Sequence, residues 1–288
     1  MTVGVVSLGA MGSAVAHALT TGGSRVVATL AGRSERTARL ADRASIELLP
    51  DLDAVVRESE IVLSIVPPEA APAVIADLAA AAYAADAELL LADLNAVSPA
   101  TVRAAAEVAA AAGCELVDGS ISGPPPWKAG TTRVYLSGAP AREVAALPFA
   151  GVETIVVGPE IGSGSAVKMS TASVYKGSSA LLTQALLAAH ANGVLEHVLA
   201  DLRTGAPELV ARIERRIATA ASKAERYVGE MREIAATQRE AGLTPALFEA
   251  MAEVYADLAK TPLASLSPED VADEPALPDV LRDLRPGA

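Results

Sequence analysis

Short apolar runs and longer Ala-rich stretches alternate over the first 158 residues of the chain. The short runs are rich in Val, Ile and Leu and predict buried strands at 3–7, 26–31, 61–66, 89–93, 115–118 and 132–137. Between them, apolar residues at helical spacing predict helices near 12–21, 34–43, 51–58, 69–84 and 98–113. This alternation indicates an α/β domain with a doubly wound, mostly parallel sheet and helices on both faces.

The strand pattern stops near residue 160, and the rest of the chain has a helical pattern. One helix-forming run extends from Ala166 to about Leu195, and further helices are expected near 207–221, 223–241 and 245–259. The segment from Pro262 to Ala288 is rich in proline and carboxylates, which predicts an extended, mobile tail. We therefore expect an α/β domain at 1–160 and an all-α domain at 161–288, joined by a long inter-domain helix.

The long predicted helix also indicates an oligomer. A helix over 166–195 would span about 45 Å. It is apolar on more than one face, so it has to be buried. We expect a homodimer in which the C-terminal helical domains of two subunits pack together along this helix.

The first strand leads into a glycine-punctuated turn that opens an Ala-rich helix, as in the phosphate-binding element of a Rossmann dinucleotide-binding domain. Gly9 lets the backbone approach a pyrophosphate, and Gly12 lets the helix pack on the strand with its N-terminus toward the phosphates. Ser7 stands where the Gly-x-Gly-x-x-Gly fingerprint has its first glycine, and a purely structural turn is the alternative. The turn residues expected to bind the cofactor are Leu8, Gly9, Ala10, Met11 and Gly12.

The end of the second predicted strand indicates which dinucleotide is bound. An acidic residue about 20 positions after the glycines usually holds the free ribose 2′-hydroxyl of NAD. Here that position is Gly32, followed by Arg33 and Ser34. A guanidinium and a hydroxyl suit a 2′-phosphate, so the expected cofactor is NADP (NADPH), with Arg36 and Arg39 placed to assist. The alternative is a solvated basic helix start, which is more plausible for Arg39 than for Arg33.

Further chemistry is expected after the later strands, because ligands of such sheets bind at the carboxyl ends of the strands. Val66 and Pro67 would form a rigid loop over the cofactor, although an ordinary helix start explains the prolines equally well. Asn95 follows the fourth strand, where an amide can orient a nicotinamide or a substrate. The segment from Asp118 to Trp127 is expected to be a polar loop whose hydroxyls and amides suit an anionic substrate.

Composition narrows the classes of partner. The chain of 288 residues carries a net charge of -12, which argues against nucleic acid and anionic membranes. The apolar stretch 70–92 is interrupted by three carboxylates, so no membrane span is expected. The single cysteine, Cys114, excludes an internal disulfide and a Cys-rich metal site, and the histidines are not spaced as metal ligands. We expect a cytoplasmic protein without a metal, acting on a small molecule.

Lys168 lies one turn into the long predicted helix, in an apolar stretch that follows Gly162-Ser163-Gly164-Ser165. Desolvation at a helix start lowers the pKa of a lysine, which suits proton transfer near neutral pH. The alternative is a structural lysine whose ammonium extends to water, and without further evidence this alternative is preferred. Lys176 falls on the same helical face.

These segments together resemble the β-hydroxyacid dehydrogenase family, the relatives of 6-phosphogluconate dehydrogenase and 3-hydroxyisobutyrate dehydrogenase. The matching segments are Gly9–Gly12, Asp93–Pro99, Asp118–Gly123, Ala129–Thr131 and Gly162–Lys168. The resemblance covers nearly the whole chain, strongly to residue 177 and weakly after it. It implies an NAD(P)-dependent Rossmann domain, an all-helical second domain and a dimer or tetramer.

The resemblance also implies roles for particular residues. Lys168 corresponds to the general acid/base of the family, and Ser122 with Gly123 corresponds to the segment that binds the substrate carboxylate. Asn95 and Lys176 are further candidates for substrate binding. Ala172 stands where the family has an asparagine, so one substrate hydrogen bond of the family is missing.

The expected function is an NADPH-dependent oxidoreductase that transfers hydride between the nicotinamide and a carbonyl or alcohol carbon of a small, carboxylate-bearing substrate. An imine reductase-like enzyme and a non-catalytic NADPH-binding module are the alternatives. The segment 222–237 resembles a less characterised branch with a different C-terminal domain. There Arg226, Glu230 and Glu233 share a helical face, for which a surface salt-bridge face is preferred over a role at the site.

Overall fold

The computed structural model describes residues 1–284, and the chain divides into two compact units, Met1–Met169 and Ser170 onward. The sequence places the boundary at 160, before the long helix. In the structure the division falls inside that helix, whose first turns belong to the N-terminal unit.

The N-terminal unit is built on one sheet of eight strands in the order β3-β2-β1-β4-β5-β6-β7-β8. Neighbouring strands are parallel except β6 and β7, which pair antiparallel. The α/β fold class predicted from the sequence is therefore confirmed. The strands are β1 (Thr2–Val6), β2 (Arg25–Thr29), β3 (Glu47–Leu49), β4 (Ile61–Ser64), β5 (Leu90–Asp93), β6 (Glu115–Ser122), β7 (Thr132–Ser137) and β8 (Val152–Gly158).

Helices cover both faces of this sheet, and each face has its own apolar cluster. One cluster packs Val3 and Val5 of the first strand against Val15 and Leu19 of the first helix. The other packs Val62 and its neighbours against later helices. The helices that begin in this unit are α1 (Ala10–Thr21), α2 (Glu35–Ala44), α3 (Leu52–Glu58), α4 (Ala71–Ala85), α5 (Pro99–Ala111), α6 (Ala141–Ala145) and α7 (Ser163–Ala191).

The apolar pattern does not predict the strands β3 and β8, and it predicts too early an end for β6. β3 has only three residues and β8 lacks a fully buried residue, so neither carries a clear apolar signal. The segment from Asp118 to Ser122 was expected to be a loop, and this was wrong. It continues β6, because Gly119 to Ser122 pair with β7.

The second unit is helical. Helix α7, which leads into this unit, begins at Ser163, three residues before the expected start, and ends at Ala191. Two residues further on, Gly193 adopts a φ of 71°, and the chain changes direction there. Across residues 1–284, no helix combines the length and the apolar character that a membrane crossing requires. The remaining helices are α8 (Leu195–Gly205), α9 (Pro207–Val210), α10 (Ile213–Ala221), α11 (Ala224–Glu240), α12 (Ala246–Leu258) and α13 (Leu277–Asp283).

The sequence predicts an extended, mobile tail from Pro262 onward, and this was wrong. The described part of this segment is ordered. Leu263, Val271 and Leu277 are buried, and α13 buries Val280 and Leu281. Widely spaced apolar residues anchor this segment in spite of its prolines, because each one removes apolar surface from water. Residues 285–288 of the predicted tail lie outside the described part of the chain.

Candidate active site

The turn between β1 and α1 has the geometry of a phosphate-binding element. Ser7 adopts a φ of 73°, so it takes the left-handed conformation for which the fingerprint uses glycine. A β-carbon on Gly9 would meet no protein atom within 4 Å, so the space beside this backbone is open. A β-carbon on Gly12 would lie 1.9 Å from the Ser7 carbonyl oxygen, so only glycine permits this packing.

The start of α1 is available to an anion. Gly9 is its N-cap, and no side chain of the described residues caps the helix by a hydrogen bond. The amide groups of the first turn and the positive end of the helix dipole therefore face the open space. Leu8 is buried in the core and offers only its backbone, whereas Ala10 and Met11 are half-buried. Open space at Gly9 and an uncapped helix end fit the pyrophosphate of a dinucleotide.

The end of β2 presents an exposed cation beside a hydroxyl. Gly32 adopts a φ of 69°, and the Arg33 amide donates to the Leu30 carbonyl oxygen at 2.9 Å, which closes the turn. Ser34 is the N-cap of α2, where its hydroxyl accepts a 3.4 Å hydrogen bond from the Thr37 amide. Arg33 and Ser34 are both exposed, and residues 30–34 contain no carboxylate. The first carboxylate after β2 is Glu35, in the first turn of α2. Arg33 and Ser34 thus present a guanidinium and a hydroxyl, groups that suit a phosphate.

Asn95 ties the ends of β4 and β5 together. It is 3% exposed, its Oδ1 accepts from the Val66 amide at 2.6 Å, and its Nδ2 donates to the Ser64 hydroxyl at 3.1 Å. Its own amide donates to Asp93 Oδ1 at 2.9 Å. The side chain is thus engaged with the protein and fixes the loop that carries Pro67.

A buried carboxylate anchors the start of α7. Asp118, in the middle of β6, accepts hydrogen bonds from the Gly162 amide at 2.9 Å, the Ser165 hydroxyl at 2.6 Å and the Ser165 amide at 3.1 Å. The Ser137 hydroxyl also donates to it, at 2.7 Å. Because all these groups are buried, the contacts fix the first turn of α7 against the sheet.

Sequence reasoning included Asp118 in the substrate segment and missed this anchoring role. The available signal was the alternation of Asp118, Ser120 and Ser122, which places three polar side chains on one face of a strand. Ser120 completes the arrangement, because its hydroxyl donates to the Gly164 carbonyl oxygen at 2.8 Å.

Lys168 lies one turn beyond this anchor. Its Nζ donates to the Ile121 carbonyl oxygen at 2.6 Å, next to the half-buried Ser122. Gly123 follows with a φ of 119°, and a β-carbon there would lie 2.3 Å from the Thr131 carbonyl oxygen. The structure thus brings together Lys168 and the Ser122-Gly123 segment at the end of β6.

The helical face with Arg226 and Glu230 is not a surface salt-bridge face. Glu230 is 3% exposed and pairs with the ammonium of Lys176 and, at 3.0 Å, with the Arg226 guanidinium. The Lys176 ammonium also lies 4.6 Å from the ring centre of Tyr227. Lys176 is therefore held by a buried carboxylate and an aromatic ring within the helical unit.

Two family models match this chain, and one of them covers most of the α/β unit. Residues 2–148 match the NAD binding domain of 6-phosphogluconate dehydrogenase, and residues 189–258 match a domain of unknown function, DUF1932. The chain belongs to the family of that NAD binding domain, and by class it is an NAD(P)-dependent oxidoreductase. The resemblance inferred from the sequence motifs is confirmed. No protein with a curated function matches the chain.

Three solved structures show how far the likeness extends. The conserved protein MTH1747, of unknown function and structurally similar to 3-hydroxyacid dehydrogenases, is 28% identical with a TM-score of 0.67, over 90% of this chain and 97% of that one. Mycobacterium tuberculosis 3-hydroxyisobutyrate dehydrogenase is 21% identical with a TM-score of 0.70, over 99% of both chains. An imine reductase from Myxococcus stipitatus in complex with NADP+ is 19% identical with a TM-score of 0.57, over 99% of this chain and 100% of that one.

Proposed function

We propose that the protein is an NADPH-dependent oxidoreductase that acts on a carbonyl or alcohol carbon of a small, carboxylate-bearing substrate. The observation that carries the proposal is the Lys168 ammonium, fixed at 2.6 Å from the Ile121 carbonyl oxygen, beside Ser122 and Gly123. This cation lies in the same unit as the open turn at Gly9.

The cofactor would be held by the chain at two places. The Gly9–Gly12 turn and the first turn of α1 would bind the pyrophosphate, and Arg33 with Ser34 would bind the 2′-phosphate. The loop of Val66 and Pro67, fixed by Asn95, would cover the cofactor. When bound, NADPH supplies the hydride.

Lys168 is the proton-transfer residue in this proposal. Its contact with the Ile121 carbonyl oxygen fixes the position of Nζ, from which Lys168 would give a proton to a developing alkoxide and take it back in the reverse direction. Asp118 acts only indirectly, because it fixes the helix turn from which Lys168 projects.

The Ser122-Gly123 segment would bind the substrate carboxylate. The left-handed backbone at Gly123 turns the chain sharply after β6. The Ser122 hydroxyl and the backbone amides of such a turn are donors suited to a carboxylate.

An imine reductase-like activity is the second candidate. Ala172 is a buried alanine where the hydroxyacid family has an asparagine, so the amide that this family offers its substrate is missing. The structural likeness to an imine reductase spans almost the whole chain.

We also propose that the protein is a homodimer built on α7. Val174 and Leu181 are seven residues apart on this helix, so they share one face, and they are 66% and 62% exposed. Two large apolar side chains in water on one helix face favour burial against a second copy of this helix.

A substrate screen tests the function. The purified protein would be assayed with NADPH against aldehydes, 2-oxoacids and cyclic imines, and with NADP+ against hydroxyacids. NADH and NAD+ are the matched cofactor controls. Turnover of hydroxyacids or carbonyl compounds supports the leading proposal, and turnover of imines alone supports the second candidate. NADPH binding without turnover of any compound would indicate a non-catalytic NADPH-binding module.

A further inference from the structure

The helical unit contains an open cavity of about 380 Å³, and four cationic residues contribute to its lining. The residues that line it include the cations Lys176, Arg212, Arg215 and Arg216 and the aromatic residues Tyr175 and Tyr227. None of the residues that line it carries a carboxylate. This local excess of cations stands out because the chain as a whole has 35 carboxylate and only 23 Lys and Arg residues.

Two of the four cations have carboxylate partners just outside the cavity. Lys176 is paired with Glu230, and Arg215 is paired with the carboxylate of Asp273. Arg212 donates only a long bond, 3.4 Å, to the carbonyl oxygen of Asp273. The two carboxylates therefore compensate only part of the positive charge.

Arg216 is held in place by neutral acceptors. Its guanidinium donates to the hydroxyls of Ser178 and Ser179, the latter at 3.1 Å, and to the carbonyl oxygens of Tyr175 and Leu209, both at 3.4 Å. Over residues 1–284 it takes part in no ion pair with a carboxylate. These bonds fix the fork of the guanidinium but leave its charge for an anion to compensate.

The start of α10 adds to this positive field. Arg212 is its N-cap and adopts a φ of 51°, an uncommon conformation for a long side chain. No side chain of the described residues makes a capping hydrogen bond to this helix. The positive end of the helix dipole thus coincides with the arginines, and backbone strain of this kind is found at binding sites.

We propose that this cavity binds an organic anion with a planar body, of the aryl carboxylate or aryl phosphate class. Arg212 and Arg216 would bind the acidic group, and the rings of Tyr175 and Tyr227 would contact the planar body. The volume lies in the range of small-molecule sites. This site goes beyond the proposed function, because that function gives no role to any of the residues that line the cavity.

Calorimetry on the full chain tests the proposal with phenyl phosphate and benzoate as probes and benzyl alcohol as the neutral control. Saturating NADP+ is present throughout, so that the cofactor site is filled. We expect at least one anion to bind and benzyl alcohol to bind at least tenfold more weakly. Comparison of the affinities for phenyl phosphate and benzoate shows whether the site prefers a phosphate or a carboxylate. Absence of binding by both anions would overturn the proposal.

Variants then locate the binding. Arg212→Gln and Arg216→Gln should each raise the dissociation constant of the bound anion about tenfold or more, the effect of losing a charge-assisted hydrogen bond. Arg239→Gln removes an exposed charge elsewhere on the helical unit and should leave it unchanged. Because Arg216 also holds α10 to α7, circular dichroism checks that Arg216→Gln is folded. If that variant unfolds, Arg212→Gln still tests the site, because Arg212 is exposed. Unchanged affinity in Arg212→Gln, or loss of binding in Arg33→Gln instead, would refute the site.

Discussion

The ammonium of Lys168 and the carbonyl oxygen of Ile121 are 2.6 Å apart, which fixes the cation at the end of β6. The bond joins the first turns of α7 to the strand that carries the Ser122-Gly123 segment. This contact gives Lys168 Nζ a defined position, as the proposed proton transfer requires.

Lys168→Met should lower turnover by about two to four orders of magnitude, because the variant has no group to transfer the proton. NADPH affinity should change little, since the residue is not expected to contact the phosphates. Lys128→Met, which removes an exposed lysine, is the matched control and should keep full turnover. Steady-state kinetics and NADPH titration measure both. If Lys168→Met were fully active and Lys176→Met inactive, the role would belong to Lys176.

Arg33→Ala should weaken NADPH binding by about 1.5–3 kcal/mol, the size of a charge-assisted hydrogen bond to the 2′-phosphate. NADH lacks that phosphate, so its affinity should stay the same. Arg57→Ala removes another exposed arginine, in α3, and should change neither affinity. Fluorescence titration with the two cofactors makes the comparison. Equal affinities of the parent protein for NADPH and NADH would contradict the NADP preference.

Gly9→Ala and Gly12→Ala should separate cofactor binding from stability. The new methyl group at Gly9 meets no protein atom within 4 Å and the φ of −65° suits alanine, so the thermal midpoint should stay nearly unchanged. NADPH affinity should fall, because the methyl group occupies the space of the pyrophosphate. At Gly12 the methyl group would lie 1.9 Å from the Ser7 oxygen, so stability should fall by about 1–3 kcal/mol or more. If Gly9→Ala bound NADPH as tightly as the parent protein, the proposal that this turn binds the pyrophosphate would be wrong.

Asp118→Asn should destabilise the N-terminal unit by about 3 kcal/mol or more. The amide loses the charge that strengthens four buried hydrogen bonds, and one of its two positions can no longer accept. Urea unfolding measures the loss against Asp77→Asn, an exposed helical position that should be neutral. A stability equal to that of the control would show that the carboxylate charge is not needed to anchor α7.

Val174→Asp combined with Leu181→Asp should convert the proposed dimer into a monomer. Each carboxylate would be desolvated in an α7 interface, which is costly, whereas it is solvated on an isolated subunit. Sedimentation at micromolar concentration reports the state, and Tyr83→Asp, another exposed side chain, is the control. A parent protein that already sediments as a monomer would exclude the dimer.

The N-terminal unit was predictable because its signals are local. Apolar runs, Gly9 and Gly12 specify strand, turn and helix within a dozen residues, and the alternation of elements limits the sheet to few arrangements. Even Ser7, which breaks the fingerprint, follows the expected course, since a single left-handed residue costs only about 1–2 kcal/mol. The family resemblance follows from these same local segments.

Tertiary structure alone decided the features that depend on long-range partners. The extension of β6 past Asp118 depends on pairing with β7, and the burial of Glu230 depends on Lys176, 54 positions away in the sequence. The order in the C-terminal segment rests on apolar residues too widely spaced to give a periodic signal. The cationic cavity likewise gathers residues from α7, α10 and α11. Charge and burial depend on neighbours in space, and a sequence pattern reports only neighbours along the chain.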